Sequence, residues 1–288
     1  MRKGCLIVGE LNNLQLLQLN IAKDVAEVCR KNDIPYFMCG GTMLGAIRHK
    51  GFIPWDDDMD FGMTRDNYEK FLEIAQKELG DKYFVQTWDT DPGYGSPFAK
   101  IRLNGTEFVE KNSQHANMHK GIYIDIFPWD NVPDNDADRK KQWNGVHFYW
   151  HLLMNKCKYD YVNKNSTAKV VAAWIFKVLS YLIPLSVIHK GLYSNLTKYK
   201  NIKTDKAANF CGGSPLAKEM WERRWLTEFA EYQFETTSFS GPEEWDEYLT
   251  HFFGDYMTPP PEDKRVVGHN IVKIDFGKYK NAEKVSEE

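Results

Sequence analysis

The chain has 288 residues, of which 27 % are charged, and its formal net charge is −3. That balance excludes a protein held to nucleic acid by bulk charge, and it excludes an acidic solvating tail. The length allows one large domain or two small ones with an ample core, and 14 % aromatic residues, nine of them Trp, demand such a core or a site built from rings.

Leu14, Leu17, Ile21, Val25 and Val28 recur at helical spacing and predict an amphipathic helix over residues 11–31, stopped by Asn32, Asp33 and Pro35. Residues 36–39 read as a short strand running into Gly40 and Gly41, and residues 42–49 as a short helix. Gly51 and Pro54 turn the chain before an acidic strand marked by Met59 and Phe61. A second helix over 67–79 carries Tyr68, Phe71, Leu72 and Ala75 on its apolar face. Strands are expected at 83–87, 98–103, 107–109 and 121–127, separated by turns bearing Gly, Asn and Asp.

Residues 134–200 are helical in flavour, and the last third mixes short segments with a helix near 243–253. This order suits an α+β catalytic core with a helical insertion or cap. The expected division is a core over 1–133, a helical insertion over 134–205 and a mixed C-terminal segment over 206–288 that completes the same domain.

The apolar stretch 170–188 is interrupted by Lys177 and bent by Pro184, at the lower length limit for a membrane span. A buried or partly buried helix is the first expectation. An amphipathic helix on a membrane surface is the second, given Lys164, Lys169, Lys190, Lys198 and Lys200 nearby, and a spanning helix the third. The five cysteines (Cys5, Cys29, Cys39, Cys157, Cys211) form no C-x-x-C pair, the usage expected of a reduced, cytoplasmic protein. Arg2 and Lys3 precede too short an apolar run for a secretory signal.

Chemistry concentrates between residues 40 and 60. A glycine pair after a strand and before a helix lets backbone N–H groups approach a phosphate, with Thr42 capping that helix. The alternating period of a strand would put Asp58 and Asp60 on one face, where two carboxylates repel unless a cation lies between them. An EF-hand is excluded, since its glycine position is Phe61 and its glutamate position Asn67. Carboxylates set among Phe52, Ile53, Trp55, Met59 and Phe61 are costly to bury unless paired or metal-bound. Asp125, within an otherwise apolar strand, is the expected third ligand, and Mg²⁺ or Mn²⁺ the expected ion. Arg48, His49, Lys100 and Arg102 supply positive charge for a phosphate. Trp55, Trp88, Tyr123 and Trp129 are candidate rings for a cationic group. His115 and His119 have zinc-like spacing but lack further ligands, and Gly212, Gly213, Ser214 and Pro215 read as a plain turn.

The run from Gly40 through Arg48, Gly51, Pro54, Trp55 and Asp56 to Asp60 closely resembles the signature of the LicD family, bacterial phosphocholine transferases related to the fukutin-type phosphotransferases. Segments 100–106, 122–128 and 248–257, leading to Pro260, Pro261 and Arg265, fit the same pattern. The resemblance implies a nucleotidyltransferase-like mixed-sheet core, with Gly40, Gly41 and Thr42 facing the donor phosphates and Asp58, Asp60 and Asp125 as the metal triad. The gap from Gly41 to Asp58 is longer than in typical nucleotidyltransferases, so Asp56 either replaces or supplements a member of the triad. The implied reaction moves phosphocholine, or a related phospho-alcohol, from CDP-choline or another CDP-alcohol to a hydroxyl of a cell-surface glycan or teichoic acid precursor. A lipid-linked acceptor at the inner leaflet makes peripheral membrane contact through 170–188 a hypothesis. The alternative is a nucleotidyltransferase that moves NMP to a small molecule or protein.

Overall fold

A computed structural model describes residues 8–160 and 167–280. Helix α1 (Val8–Lys31) buries Leu14, Leu17, Ile21 and Val25 along one face and carries Arg30 and Lys31 in its last turn, where they complement the helix dipole. Asp33, at φ 51°, reverses the chain into β1 (Phe37–Met38). There follow α2 (Gly40–His49), β2 (Asp60–Thr64), α3 (Arg65–Leu79), β3 (Tyr83–Gln86), β4 (Ala99–Leu103), β5 (Glu107–Glu110) and β6 (Tyr123–Asn131). The sheet runs β1-β2-β6-β4-β3, with β2 and β6 parallel and the other pairs of that path antiparallel.

The helical block is α4 (Asp136–Lys156), α5 (Thr167–Leu182) and α6 (Leu185–Leu196). Asn135 caps α4, its side chain accepting from the Asp138 N–H at 3.1 Å. Val146, Leu152 and Leu153 of α4 join Ile188, Leu192 and Leu196 of α6 in a core of their own, closed by Phe98, Val132 and Phe210. Helix α5 lays Phe176 and Leu179 on that core. Its other side leaves Trp174, Tyr181 and Leu182 at 66, 74 and 74 % exposure. A buried or partly buried helix is the first expectation for 170–188, and the partly buried form is what the structure shows, with one face of α5 on the core and Ile188 fully buried. Lys164, the side chain of Lys169, and Cys5 lie outside the described residues. No single helix among those described is long and apolar enough to cross a membrane.

The final third is richer in strands than its sequence discloses: β7 (Lys206–Ala208), α7 (Leu216–Glu219), β8 (Met220–Glu222), β9 (Phe229–Phe234), β10 (Thr237–Pro242), α8 (Trp245–Phe253) and β11 (Ile271–Asp275). β7 pairs with the far end of β6 through Asp130 and Ala208, and β8 lies beside it. β9 and β10 form a hairpin, and β11 pairs with β5. Strands of three to six residues offer too few alternations to be read locally. The expected α+β class, with its nucleotidyltransferase-like mixed sheet, is the architecture observed.

Candidate active site

Register places the acids. Asp60 is the first residue of β2 and sits opposite Asp125 of the neighbouring parallel strand β6, so the two are about 5 Å apart. Lys100 of β4 flanks Asp125 on its other side. Asp58 does not share the strand with Asp60, contrary to the expected alternation, because β2 begins only at Asp60. The preceding loop is held instead by side chains of α1. Gln15 donates to the Asp56 carbonyl at 2.8 Å, and Gln18 donates to the Asp57 carbonyl at 2.9 Å. Both Asp58 and Asp60 still act on one another. Burial first, and then the charges of Asp58, Asp125 and Asp56, push the Asp60 carboxyl well above its ordinary value. Asp56 is raised for the same reasons, burial and then Asp58.

The glycine pair abuts this cluster, but as part of a helix. α2 starts at Gly40, with Cys39 in the cap position, so Thr42 lies inside the first turn and caps nothing. Its hydroxyl accepts from the Asp60 N–H at 2.8 Å and thereby fixes the start of β2 against α2. Gly40 takes φ +54°, which favours glycine, and donates its N–H to the buried Tyr248 hydroxyl at 2.7 Å. That N–H is therefore not available to a phosphate. A Cβ on Gly41 would stand 2.7 Å from Asp56 Oδ2, so a side chain here would push the carboxylate aside.

The basic residues divide. Lys100 pairs with Asp125 at 2.6 and 2.9 Å, over the face of Tyr123. Arg102 is buried with its Nε on Gln86, its Nη1 on the Gly121 carbonyl at 2.7 Å and its plane on Tyr123. These contacts turn it to holding the sheet, which removes it from the donor-binding set. Arg48 donates to the Tyr256 carbonyl at 2.7 Å, and burial and the like charge of Arg265 lower its pKa. Arg265 lies 5.4 Å from the Trp55 ring, and His49 meets the same ring edge-on at 6.3 Å. Arg48, His49, Trp55 and Arg265 thus form one basic and aromatic rim. The four rings named as a possible cationic box do not converge. Trp88 stacks on His189, Trp129 packs between Phe37 and Trp221, and Tyr123 takes Lys100 and Arg102. His119 bonds Asn104 and stacks on Phe84.

Asp57 and His269 are features that the sequence does not disclose. Carboxylate oxygens of Asp56, Asp57 and Asp58 lie within 4.8 Å of one another. Those of Asp57 are already taken by the N–H groups of Gly268 and His269 and by His269 Nδ1, at 3.1 to 3.3 Å. Asp57 therefore anchors the approach to β11, leaving Asp56, Asp58, Asp60 and Asp125 to face the site. Burial opposes a charge on His269, but its bond to Asp57 and the Asp58 charge outweigh that and raise it to about 10. A cation fits this set on one further observation: Asp60 Oδ1 is buried without a hydrogen-bond partner. A depression of about 760 Å³ between α1 and the β9–β10 hairpin shares no residue with the acids. A smaller cavity of about 130 Å³ does border Asp60 and Gly40.

A mixed-sheet α+β domain sets clustered carboxylates beside a glycine-started helix, the arrangement expected of a nucleotidyltransferase-like protein. The chain belongs to the LicD family. The family described as "LicD/FKTN/FKRP, nucleotidyltransferase domain" matches residues 33–175. The lipopolysaccharide cholinephosphotransferase LicD of Haemophilus influenzae is 31 % identical over 266 residues, 90 % of this chain and 96 % of that protein. The ribitol 5-phosphate transferases FKRP of Mus musculus and Homo sapiens are 26 and 25 % identical over 140 and 136 residues, 46 % of this chain and 24 % of theirs.

Proposed function

We propose that this protein transfers phosphocholine, or a closely related phospho-alcohol, from a CDP-linked donor to a hydroxyl of a cell-surface glycan precursor. The observation that carries this reading is the side-by-side pair Asp60 and Asp125 on parallel strands, with Asp60 Oδ1 unpartnered next to the start of α2. Asp58, Asp60 and Asp125, with Asp56 as a supplement, would hold Mg²⁺ or Mn²⁺, which when bound offsets the negative charge of the donor phosphates. Arg48, His49 and Arg265 receive the anionic CMP end, with Trp55 as the ring beside it. Lys100 holds Asp125 in place. Phosphoryl-type transfer rests on such positioning and charge offset more than on covalent help. The core is one unit made of 1–133 and 206–288, with 134–205 inserted, a division supported by the return of β7 to β6 and of β11 to β5.

The relative from Haemophilus is named for lipopolysaccharide, a lipid-anchored glycan. The exposed Trp174, Tyr181 and Leu182 of α5 would rest this protein on the membrane that holds such an acceptor, aided by Lys177 and Lys190. Flotation with anionic vesicles tests that contact, and a protein left at the bottom refutes it.

The reaction itself is tested with a panel of CDP-alcohols labelled separately in the alcohol and the nucleotide. Divalent-cation-dependent release of CMP, with the alcohol label on the acceptor, is expected. Nucleotide label on the acceptor would establish the alternative, NMP transfer.

A further inference from the structure

The small cavity beside Asp60 is walled by Phe127, Trp129, Trp221 and Phe252, and closed by the turn that carries Gly212 and Gly213. Glu219, only 3 % exposed, reaches into that lining. Its side chain accepts one hydrogen bond, from the Ser214 N–H at 3.0 Å, and pairs with no Lys, Arg or His among the described residues. The chain makes room for it, since a Cβ on Gly212 would collide with its carboxylate. A segment that reads as a plain turn is therefore built around a buried acid. Burial pushes the Glu219 carboxyl up to about 7.

An unpaired carboxylate in such a place is costly unless a positive group joins it. The indole N–H groups of Trp129 and Trp221 are also buried without partners, and a neutral polyol would satisfy these. A missing hydrogen bond costs about 1–3 kcal/mol, less than an isolated buried charge, so the acid decides the occupant. Phe127 and Phe252, both half-buried, add ring surface of the kind that attracts an ammonium group. At about 130 Å³ the cavity suits a small organic head group such as trimethylammonium rather than a nucleotide.

We propose that this cavity receives the ammonium head of the transferred alcohol, with Glu219 as its counter-charge, and so selects an amino alcohol over a polyol. The proposal rests on the transferase reading above and adds the specificity residue to it. Binding alone can be followed by calorimetry with choline and its neutral isostere 3,3-dimethylbutanol. Wild type is expected to prefer choline at least about tenfold, as a 1.4 kcal/mol charge term requires. Glu219→Gln should cut that ratio severalfold, leaving only the share that the rings supply, and Glu219→Asp should keep more of it. Phe252→Leu, at a half-buried ring, should weaken choline about threefold to tenfold and serves if Glu219→Gln fails to fold. Equal binding of the two compounds by wild type, or undiminished preference in Glu219→Gln, overturns the proposal. Kinetics separate it from the reading beneath it. Transfer from CDP-choline whose preference over CDP-ribitol ignores Glu219 sinks the pocket alone. Glu219-dependent choline binding without any CDP-alcohol turnover sinks the transferase reading and leaves the pocket standing.

Discussion

The centre of the sheet and the outer face of α5 break the usual segregation of side chains in opposite directions. Around β2, β4 and β6 the protein buries Asp125, Lys100, Arg102 and Asp130, while α5 turns Trp174, Tyr181 and Leu182 outward. Neither arrangement lowers the folding free energy of the isolated chain at that place. The two differ in how much partnering the chain supplies. Arg65 and Asp130 satisfy one another through two bonds of 2.8 and 2.7 Å, and Lys100 answers Asp125. Asp60 Oδ1 lacks a hydrogen-bond partner and Glu219 a countercharge, as the α5 rings lack a covering surface. Incomplete groups of this kind, set among complete ones, mark where something outside the chain is expected to bind.

Substitutions sharpen that contrast. Asp60→Asn should lower CMP release about 10³-fold or more, the loss of several kcal/mol of charge stabilisation. In EDTA the same variant should melt at or above the wild-type temperature, because it removes the cost of a buried carboxylate and then the repulsion from Asp58 and Asp125. A melting temperature well below wild type would make Asp60 a structural residue. Asp130→Ala is the opposite case. It leaves Arg65 buried and alone, so urea titration should show a loss of about 3–5 kcal/mol.

Glu219 gives a pH test with a definite sign. Its carboxyl is raised from 4.5 to about 7 by burial, so the folded state favours the protonated form. Its contribution to stability is fully present below pH 4.5 and is lost as pH rises through 7. Relative to wild type, Glu219→Gln should gain stability over that window, by up to roughly 3 kcal/mol, and hold a constant lead above it. Melting curves that run parallel across the window would show that the acid is hydrated or paired. The smallest effect is expected at α5. Replacing Trp174, Tyr181 and Leu182 together by Ser should cut vesicle binding about tenfold while shifting unfolding by little, since exposed positions change stability by only about 0.5 kcal/mol each. Unaltered flotation would remove α5 from the contact.

Local spacing carried much of this architecture. The 3.6-residue recurrence of Leu14, Leu17, Ile21 and Val25 marks α1, and the alternation around Ile122, Ile124 and Ile126 marks β6. The acids at 56, 58, 60 and 125 stand out because charge among apolar neighbours is anomalous in any fold. The errors were of contact. Arg102 and Lys100 look alike on β4, yet one is held by Gln86 and Gly121 and the other by Asp125. Gly40 looks free to meet a phosphate, yet Tyr248, 208 residues away, takes its N–H. Trp129 belongs to a wall completed by Trp221 and Phe252, not to a box with Trp55 and Trp88.

The amino-acid order alone determined the main helices and central strands, the α+β class, and the candidate acids, since these depend on propensity and period within a few turns of chain. Only the tertiary structure decided which donor answers which acceptor, that Asp57 binds His269 across 212 residues, and that Glu219 is left in an aromatic cavity beside Asp60. Those outcomes follow from strand order and packing, which bring together groups whose separation along the chain says nothing about their distance in space.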